Sequence, residues 1–248
     1  MLNLIHITDC HLLNNTHDAL KNTLPFSCLE QLVNRIKSNN LPADAIVVSG
    51  DISQTGNAES YQLFKQLLEQ LKLPVFCVPG NHDDPIVLKS VYPNTPNELP
   101  SLHFIGDDAI ILLNSKLPGQ EYGEISHAAM EKLDFLLQNN NHRQIIAVVH
   151  HQAVKIHSPW MDKIGLRQAD KFLQTLAQYQ NVKMLLFGHV HQEISSTHEH
   201  IQLYASPATC YQFKPGTAEM ILDDKNPAYR YISLSEDGKI TSHVQRLD

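Results

Sequence analysis

Short apolar runs rich in β-branched residues recur along the chain at 2–7, 45–49, 74–78, 109–113, 145–149 and 182–187. Each has the length of a strand buried on both faces. Between them the apolar period lengthens to that of a helix. Leu29, Leu32, Val33 and Ile36 share one face, with Ser27 placed as an N-cap. Tyr61, Phe64, Leu67, Leu68 and Leu71 form a second such face. Met130, Leu133, Leu136 and Leu137 form a third after Ser126, and Ala169, Phe172, Leu173 and Leu176 a fourth. Strands alternating with helices predict an α/β fold with a largely parallel core. Beyond His191 the pattern turns to strands at 203–205, 218–222, 229–234 and 240–244, the last two joined by the hairpin signal Asp237-Gly238. No repeat, low-complexity tract or linker interrupts this, which predicts one domain over 1–248.

Composition narrows the function classes. At 42% hydrophobic residues, the 248-residue chain can bury a proper core, which excludes disorder. A net charge of -7 without a basic face argues against stable nucleic-acid binding. No window approaches the roughly 20 apolar residues of a membrane span, and the N-terminus lacks the basic and apolar regions of a signal peptide. The cysteines Cys10, Cys28, Cys77 and Cys210 are scattered, without a Cys-x-x-Cys pair, which fits a reduced, cytoplasmic protein.

Histidine is the unusual component, with 15 residues, several of them beside Asp, Asn or Gly. Five apolar runs lead directly into metal-capable side chains: Asp9-Cys-His11, Gly-Asp51, Gly-Asn81-His82-Asp83, His150-His151 and Gly-His189-Val-His191. Ligands of open α/β sheets bind beyond the carboxyl ends of the strands, so parallel neighbours would bring these residues to one rim. Asp9 and His11, like His189 and His191, are two apart, which in extended backbone points both side chains one way. Glycines 50, 80 and 188 precede ligands and allow close approach.

Each fragment alone reads more simply as turn chemistry or a satisfied histidine. That simpler reading applies to His6, His17, His103, His127, His142, His157, His198, His200 and His243, and Cys10 is read as structural. Five coincidences at strand ends are a different matter, because packing does not ask for histidine. Carboxylate, imidazole and amide oxygen without thiolate suit Mn, Fe, Zn or Co. The set is too large for one ion and right for two that share a bridging carboxylate. Asp51 is assigned that bridge. One site then takes Asp9, His11, Asp51 and His191; the other takes Asp51, Asn81, His189 and one of the adjacent pair His150-His151. Two such ions, about 3.5–4 Å apart, stabilise an in-line displacement at phosphorus, with a bridging hydroxide as nucleophile. His82 follows a ligand and stands free to donate a proton to the leaving oxygen or a hydrogen bond to a phosphoryl oxygen. His11, Asn81 and His191 share that rim as substrate contacts. Tyr211, Phe213 and Trp160 could stack on a base.

In this order, Asp-x-His, Gly-Asp, Gly-Asn-His, His and Gly-His-x-His resemble the signature of the calcineurin-like metallophosphoesterases. The resemblance implies a two-sheet α/β sandwich flanked by helices, with a dinuclear centre at the sheet ends. It also selects His150 over His151 as the ligand, leaving His151 either in the scaffold or against substrate. A narrower resemblance covers nearly the whole chain. Thr209-Cys-Tyr-Gln-Phe-Lys-Pro215, Ser158-Pro-Trp-Met-Asp162 with Leu166-Arg167, Gln192-Glu193 and Arg246-Leu247 are similar to segments of bacterial class III 3′,5′-cyclic-AMP phosphodiesterases. This implies hydrolysis of cyclic AMP to 5′-AMP by two transition-metal ions, iron or manganese first, and some members form homodimers. Within the same class, a glycerophosphodiester or a nucleotide-linked lipid precursor is the rival substrate, although 99–104 and 155–166 are too short and mixed for a lipid lid. A scaffold that has lost catalysis would show broken motifs, and all seven ligand positions are intact. Gln152-Ala153, Asn114-Ser115 and Pro207-Ala208-Thr209 depart from the family pattern on what is expected to be the substrate side.

Overall fold

The computed structural model describes residues 1–248, and each of the six apolar runs contains a strand. In chain order the elements are β1 (Leu2–Ile7), α1 (Pro25–Asn39), β2 (Ala45–Val48), α2 (Ala58–Leu68), β3 (Val75–Cys77), α3 (Pro85–Val91), β4 (Ser101–Ile105) and β5 (Asp108–Leu112). There follow α4 (His127–Asn139), β6 (Ile145–Val148), α5 (Pro159–Asp162), α6 (Ala169–Ala177), β7 (Val182–Phe187), β8 (Ile194–His198) and β9 (Ile201–Ala205). The chain ends with β10 (Gln212–Phe213), β11 (Leu222–Asp223), β12 (Ala228–Leu234) and β13 (Ile240–Arg246).

The main strands form two sheets, ordered β13-β12-β1-β2-β3 and β4-β5-β6-β7-β9-β8. Their centres are parallel, as the continuous apolar runs predict: β1, β2 and β3 in one, β5, β6, β7 and β9 in the other. Antiparallel strands β13, β4 and β8 close three of the four edges, and parallel β3 the fourth. Alternation sorts each buried strand into two faces. Leu4 and Val47 of one sheet meet Ile110, Ile146 and Leu186 of the other in a shared core. The opposite face of the first sheet, through Ile5, Ile46 and Val48, lies under Leu29 and Leu32 of α1 and Phe64 of α2. In the second sheet, Ile111, Ala147 and Leu185 lie under Leu133 and Leu137 of α4 and Phe172 of α6. Each such Leu, Ile, Val or Phe side chain contributes about 1.5–3 kcal/mol by leaving water. The result is a helix–sheet–sheet–helix sandwich. No helix is long and apolar enough to cross a membrane.

Two local expectations are corrected. Helix α1 starts at Pro25, two residues before Ser27, with Leu24 at its N-cap and no side-chain cap. Proline at the first helical position is preorganised for the turn and needs no N–H partner, so the start moves upstream. Ser27 instead accepts a hydrogen bond from Gln31 Nε2 at 3.2 Å. The strand expected at 218–222 shrinks to the two residues of β11 pairing with β10, and Met220 and Ile221 are exposed. The Asp237-Gly238 hairpin joins β12 to β13, with Gly238 at φ 83°.

Candidate dinuclear metal site

All the motifs lie just past the carboxyl ends of parallel strands, and they come from both sheets. Asp9 and His11 follow β1, Asp51 follows β2 and Asn81 follows β3, all in the five-stranded sheet. His150 follows β6, and His189 and His191 follow β7, in the six-stranded one. The site therefore straddles the seam where the two sheets meet.

The extended backbone expected for Asp9–His11 and His189–His191 is not what the chain adopts. Asp9 (φ 53°), His11 (φ 46°), Asp51 (φ 49°), His189 (φ 69°) and His191 (φ 49°) are all left-handed. That conformation costs an L-residue about 1–2 kcal/mol, and here it turns each side chain inward immediately after its strand. The backbones are crowded as well. A Cβ at Gly80 would lie 2.1 Å from Asp51 Oδ1, and one at Gly188 2.1 Å from Thr8 Oγ1 and 3.0 Å from Asp9 Oδ2. Only glycine fits at either place.

The seven predicted ligands converge. His11 Nε2 and His191 Nε2 are 3.0 Å apart, with Asp9 Oδ1 3.6 Å from His191 and Asp51 Oδ2 3.7 Å from His11. On the other side of Asp51, its Oδ2 is 3.4 Å from His150 Nε2, which lies 3.1 Å from Asn81 Oδ1 and 3.2 Å from His189 Nδ1. The outer nitrogens are tied to oxygens: His11 Nδ1 to Gln54 Oε1 at 2.8 Å, His150 Nδ1 to the Ser49 carbonyl at 2.7 Å, and His191 Nδ1 to the Tyr211 carbonyl at 2.8 Å. An Nδ1–H donated outward leaves the Nε2 lone pair facing in, the arrangement of metal-binding histidines. Two lone pairs 3.0 Å apart repel unless a cation lies against both.

Electrostatics agree. Asp9 and Asp51 are buried, and their only oppositely charged neighbours within ion-pair distance are histidines. Burial pushes the Asp9 carboxyl up to about 7. Burial pushes Asp51 the same way, but His150, His11 and His82 hold it well below the usual carboxylate range. Against the effect of its own burial, Asp51 raises His150 to about 9, while burial lowers His11 to about 4. The site draws a proton onto His150 because it is short of positive charge, and bound cations would supply that charge.

His82 is half-buried, its ring edge-on to His11 at 5.0 Å between centroids. It lines a cleft of about 550 Å³ with His11, Asp51, Asn81, His189 and His191 on the floor. Tyr211, Phe213 and Trp160 form one wall, and Lys21 and Lys163 stand at the rim. Tyr211 stacks on His11 (5.5 Å, 25°), and Phe213 lies 4.4 Å from His191.

The calcineurin-like phosphoesterase profile matches residues 2–193. The chain belongs to the calcineurin-like phosphoesterase family. It is 32% identical over 248 residues to the 3′,5′-cyclic adenosine monophosphate phosphodiesterase CpdA of Haemophilus influenzae, covering 100% of this chain and 90% of that one. It is likewise 32% identical over 245 residues to the protein of the same name from Escherichia coli K12, covering 98% and 89%. A dimetal phosphatase from Danio rerio superposes with a TM-score of 0.73 at 13% identity, covering 99% and 98%, which shows the shared fold. This phosphoesterase family depends on dinuclear metal centres, and the His/Asp clusters of this member can bind metal.

Two further residues of the constellation have roles that the sequence did not assign. Asp83 is 1% exposed and accepts from the main-chain N–H groups of Gly80, Ser53 and Ile52 and from the Tyr61 hydroxyl. It thereby ties the Asp51 loop to the Asn81 loop. Its place after Asn81-His82 was the only signal. Gln54, which had none, touches both His11 and His82. His151 is buried with both nitrogens engaged, Nδ1 with Ser115 Oγ at 2.8 Å and Nε2 with the Glu121 carbonyl at 3.1 Å, so it belongs to the scaffold. The departures from the family pattern do not fall on the cleft wall as expected. Gln152 donates to the Met161 carbonyl at 2.9 Å, and Ala208 is buried against the Gln212 amide. Asn114 donates to the Asn97 carbonyl, outside the metal cleft.

Proposed function

We propose that this phosphoesterase hydrolyses 3′,5′-cyclic AMP to 5′-AMP as a single catalytic domain. The observation that carries the reading is the full-length identity to two CpdA enzymes. Asp9, His11, Asp51 and His191 would hold one metal ion, and Asp51, Asn81, His150 and His189 the other, with Asp51 shared. Bound there, two ions supply Lewis acidity toward the phosphoryl oxygens and an activated water. Iron and manganese suit the oxygen and imidazole donors, and zinc or cobalt fit the same set.

The protein's own contribution is orientation and proton supply. The Nδ1 contacts of His11, His150 and His191 fix their rings before any ligand arrives. His11, Asn81, His82 and His191 face the cleft, where a diester phosphate would rest on them. His82 stands beside the metal ligands without being one and supplies a hydrogen bond or proton to the leaving ribose oxygen. The cleft's size suits a cyclic nucleotide, and its aromatic wall offers a face for the base. The substrate and the missing membrane-spanning helix both fit a cytoplasmic enzyme, working as a monomer or homodimer.

The test is turnover of cyclic AMP, cyclic GMP, glycerophosphodiesters and bis(p-nitrophenyl) phosphate by protein loaded with manganese or iron, alongside Asp51→Asn. Cyclic-AMP turnover lost in the variant supports the proposal. Turnover of the artificial diester alone would keep the metal site and reject cyclic AMP.

A further inference from the structure

Gln54 sits between two histidines of the site. Its Oε1 lies 2.8 Å from His11 Nδ1, and its Nε2 lies 3.2 Å from His82 Nδ1. Its main-chain carbonyl is 3.1 Å from the same His82 nitrogen. Its own backbone is anchored, because the Gln54 N–H donates to the Leu12 carbonyl at 2.9 Å. The side chain cannot turn over freely. With His11 Nε2 facing His191 Nε2 inside the cluster, His11 carries its proton on Nδ1 and requires an acceptor there. The amide oxygen is therefore committed to His11, which leaves the amide nitrogen against His82.

Resting on the dinuclear reading above, we infer that Gln54 is a positioning residue that straps His82 to the metal ligand His11. One residue contacts His82 Nδ1 twice, once as donor and once as acceptor. Whatever proton Nδ1 carries, it has a partner on Gln54, and Nε2 remains the nitrogen free to serve the substrate. Without the strap a half-buried imidazole rotates about its side-chain bonds, and the geometry that general-acid chemistry requires is lost. Asn81, which precedes His82, is held independently: Lys116 Nζ donates to its carbonyl at 2.6 Å, so the loop itself does not depend on Gln54.

The experiment uses Gln54→Met, which removes both side-chain contacts, and Gln54→Glu, which keeps an acceptor for His11 but has no N–H for His82. General-acid groups contribute about 10²–10⁴-fold, so partial disorder of His82 should lower cyclic-AMP turnover by about 10- to 100-fold in Gln54→Met. The fall should be several-fold smaller for bis(p-nitrophenyl) phosphate, whose leaving group needs less help. Metal content should match the wild type in Gln54→Glu, which keeps the acceptor for His11. The double variant Gln54→Glu/His82→Ala, which keeps the His11 acceptor, should be no slower than His82→Ala alone, because the contact it lacks acts through that ring. A multiplicative fall in the double variant, or loss of metal from both single variants, overturns the inference. A second readout does not depend on the substrate. In zinc-loaded protein, ¹⁵N side-chain spectra of His82 should change in both variants, and unchanged spectra would sink the strap. A changed spectrum with no cyclic-AMP turnover in the wild type would instead reject the substrate and keep the strap.

Discussion

Asp83 lies beneath the proposed metal ligands, and its two oxygens divide four donors between them. Oδ1 accepts from Ser53 N at 2.9 Å and the Tyr61 hydroxyl at 3.0 Å; Oδ2 accepts from Gly80 N at 2.9 Å and Ile52 N at 3.2 Å. In Asp83→Asn one of those positions becomes an NH₂. Placed at Oδ2 it would face two main-chain N–H groups. Placed at Oδ1 it would face Ser53 N and a hydroxyl that can reverse to accept. The second orientation is the cheaper, and it still orphans the Ser53 N–H, at about 1–3 kcal/mol, while removing the charge that strengthens the other bonds. The sum is a destabilisation of roughly 2–4 kcal/mol. Because the bonds span the Asp51 and Asn81 loops, metal affinity should fall by about 10- to 100-fold as well. Urea unfolding of the metal-free protein measures the first quantity, and metal competition with a chromogenic chelator the second. An Asp83→Asn protein within about 0.5 kcal/mol of the wild type, and equally tight for metal, would refute the claim that this carboxylate joins the loops.

Gly188→Ala should fold poorly or lose metal, because its Cβ would meet Thr8 Oγ1 at 2.1 Å and the Ser49 carbonyl at 2.9 Å; metal analysis of the soluble fraction checks this. Arg230 is 1% exposed with no carboxylate partner, and its guanidinium instead binds the Ala205 and Ile194 carbonyls and the Ser195 and Ser242 hydroxyls. It bridges β12 of one sheet to β8 and β9 of the other, so Arg230→Met should cost roughly 2–4 kcal/mol in urea unfolding by orphaning those acceptors. His6 is buried beside Ser49, and burial, with Arg230 adding, lowers it to about 3. Between that value and the unfolded value of about 6.5, the unfolded chain binds the extra proton. Stability is therefore full above about 6.5 and falls by about 1.4 kcal/mol per pH unit below it. The gap between wild type and His6→Gln should narrow by that amount from pH 6 to pH 5, and a constant gap would reject the assignment.

How much of this was legible depended on whether residue type alone carried the information. Asp, His and Asn after apolar runs are improbable without chemistry, so the cluster could be read from the sequence. So could the central strands, whose faces are all buried. Strands β4 and β8 could not, because both are half-exposed edges with no apolar run, and neither could α3, a helix of only seven residues. The division into two sheets was equally hidden from the apolar pattern, since a run buried on both faces looks alike in either, and only the family resemblance implied it. The left-handed turns at Asp9, His11, Asp51, His189 and His191 escaped for a different reason. Asp and His tolerate that region better than most residues, but nothing in their identity demands it. The turns follow β1, β2 and β7, whereas β3 and β6 lead to Asn81 and His150 without a left-handed residue, so the conformation belongs to where each loop lies in the folded chain. Gln54 and Asp83 belong to the same category. A polar residue in a loop acquires its role from the two partners it reaches, and those partners stand on segments that only the folded chain brings together.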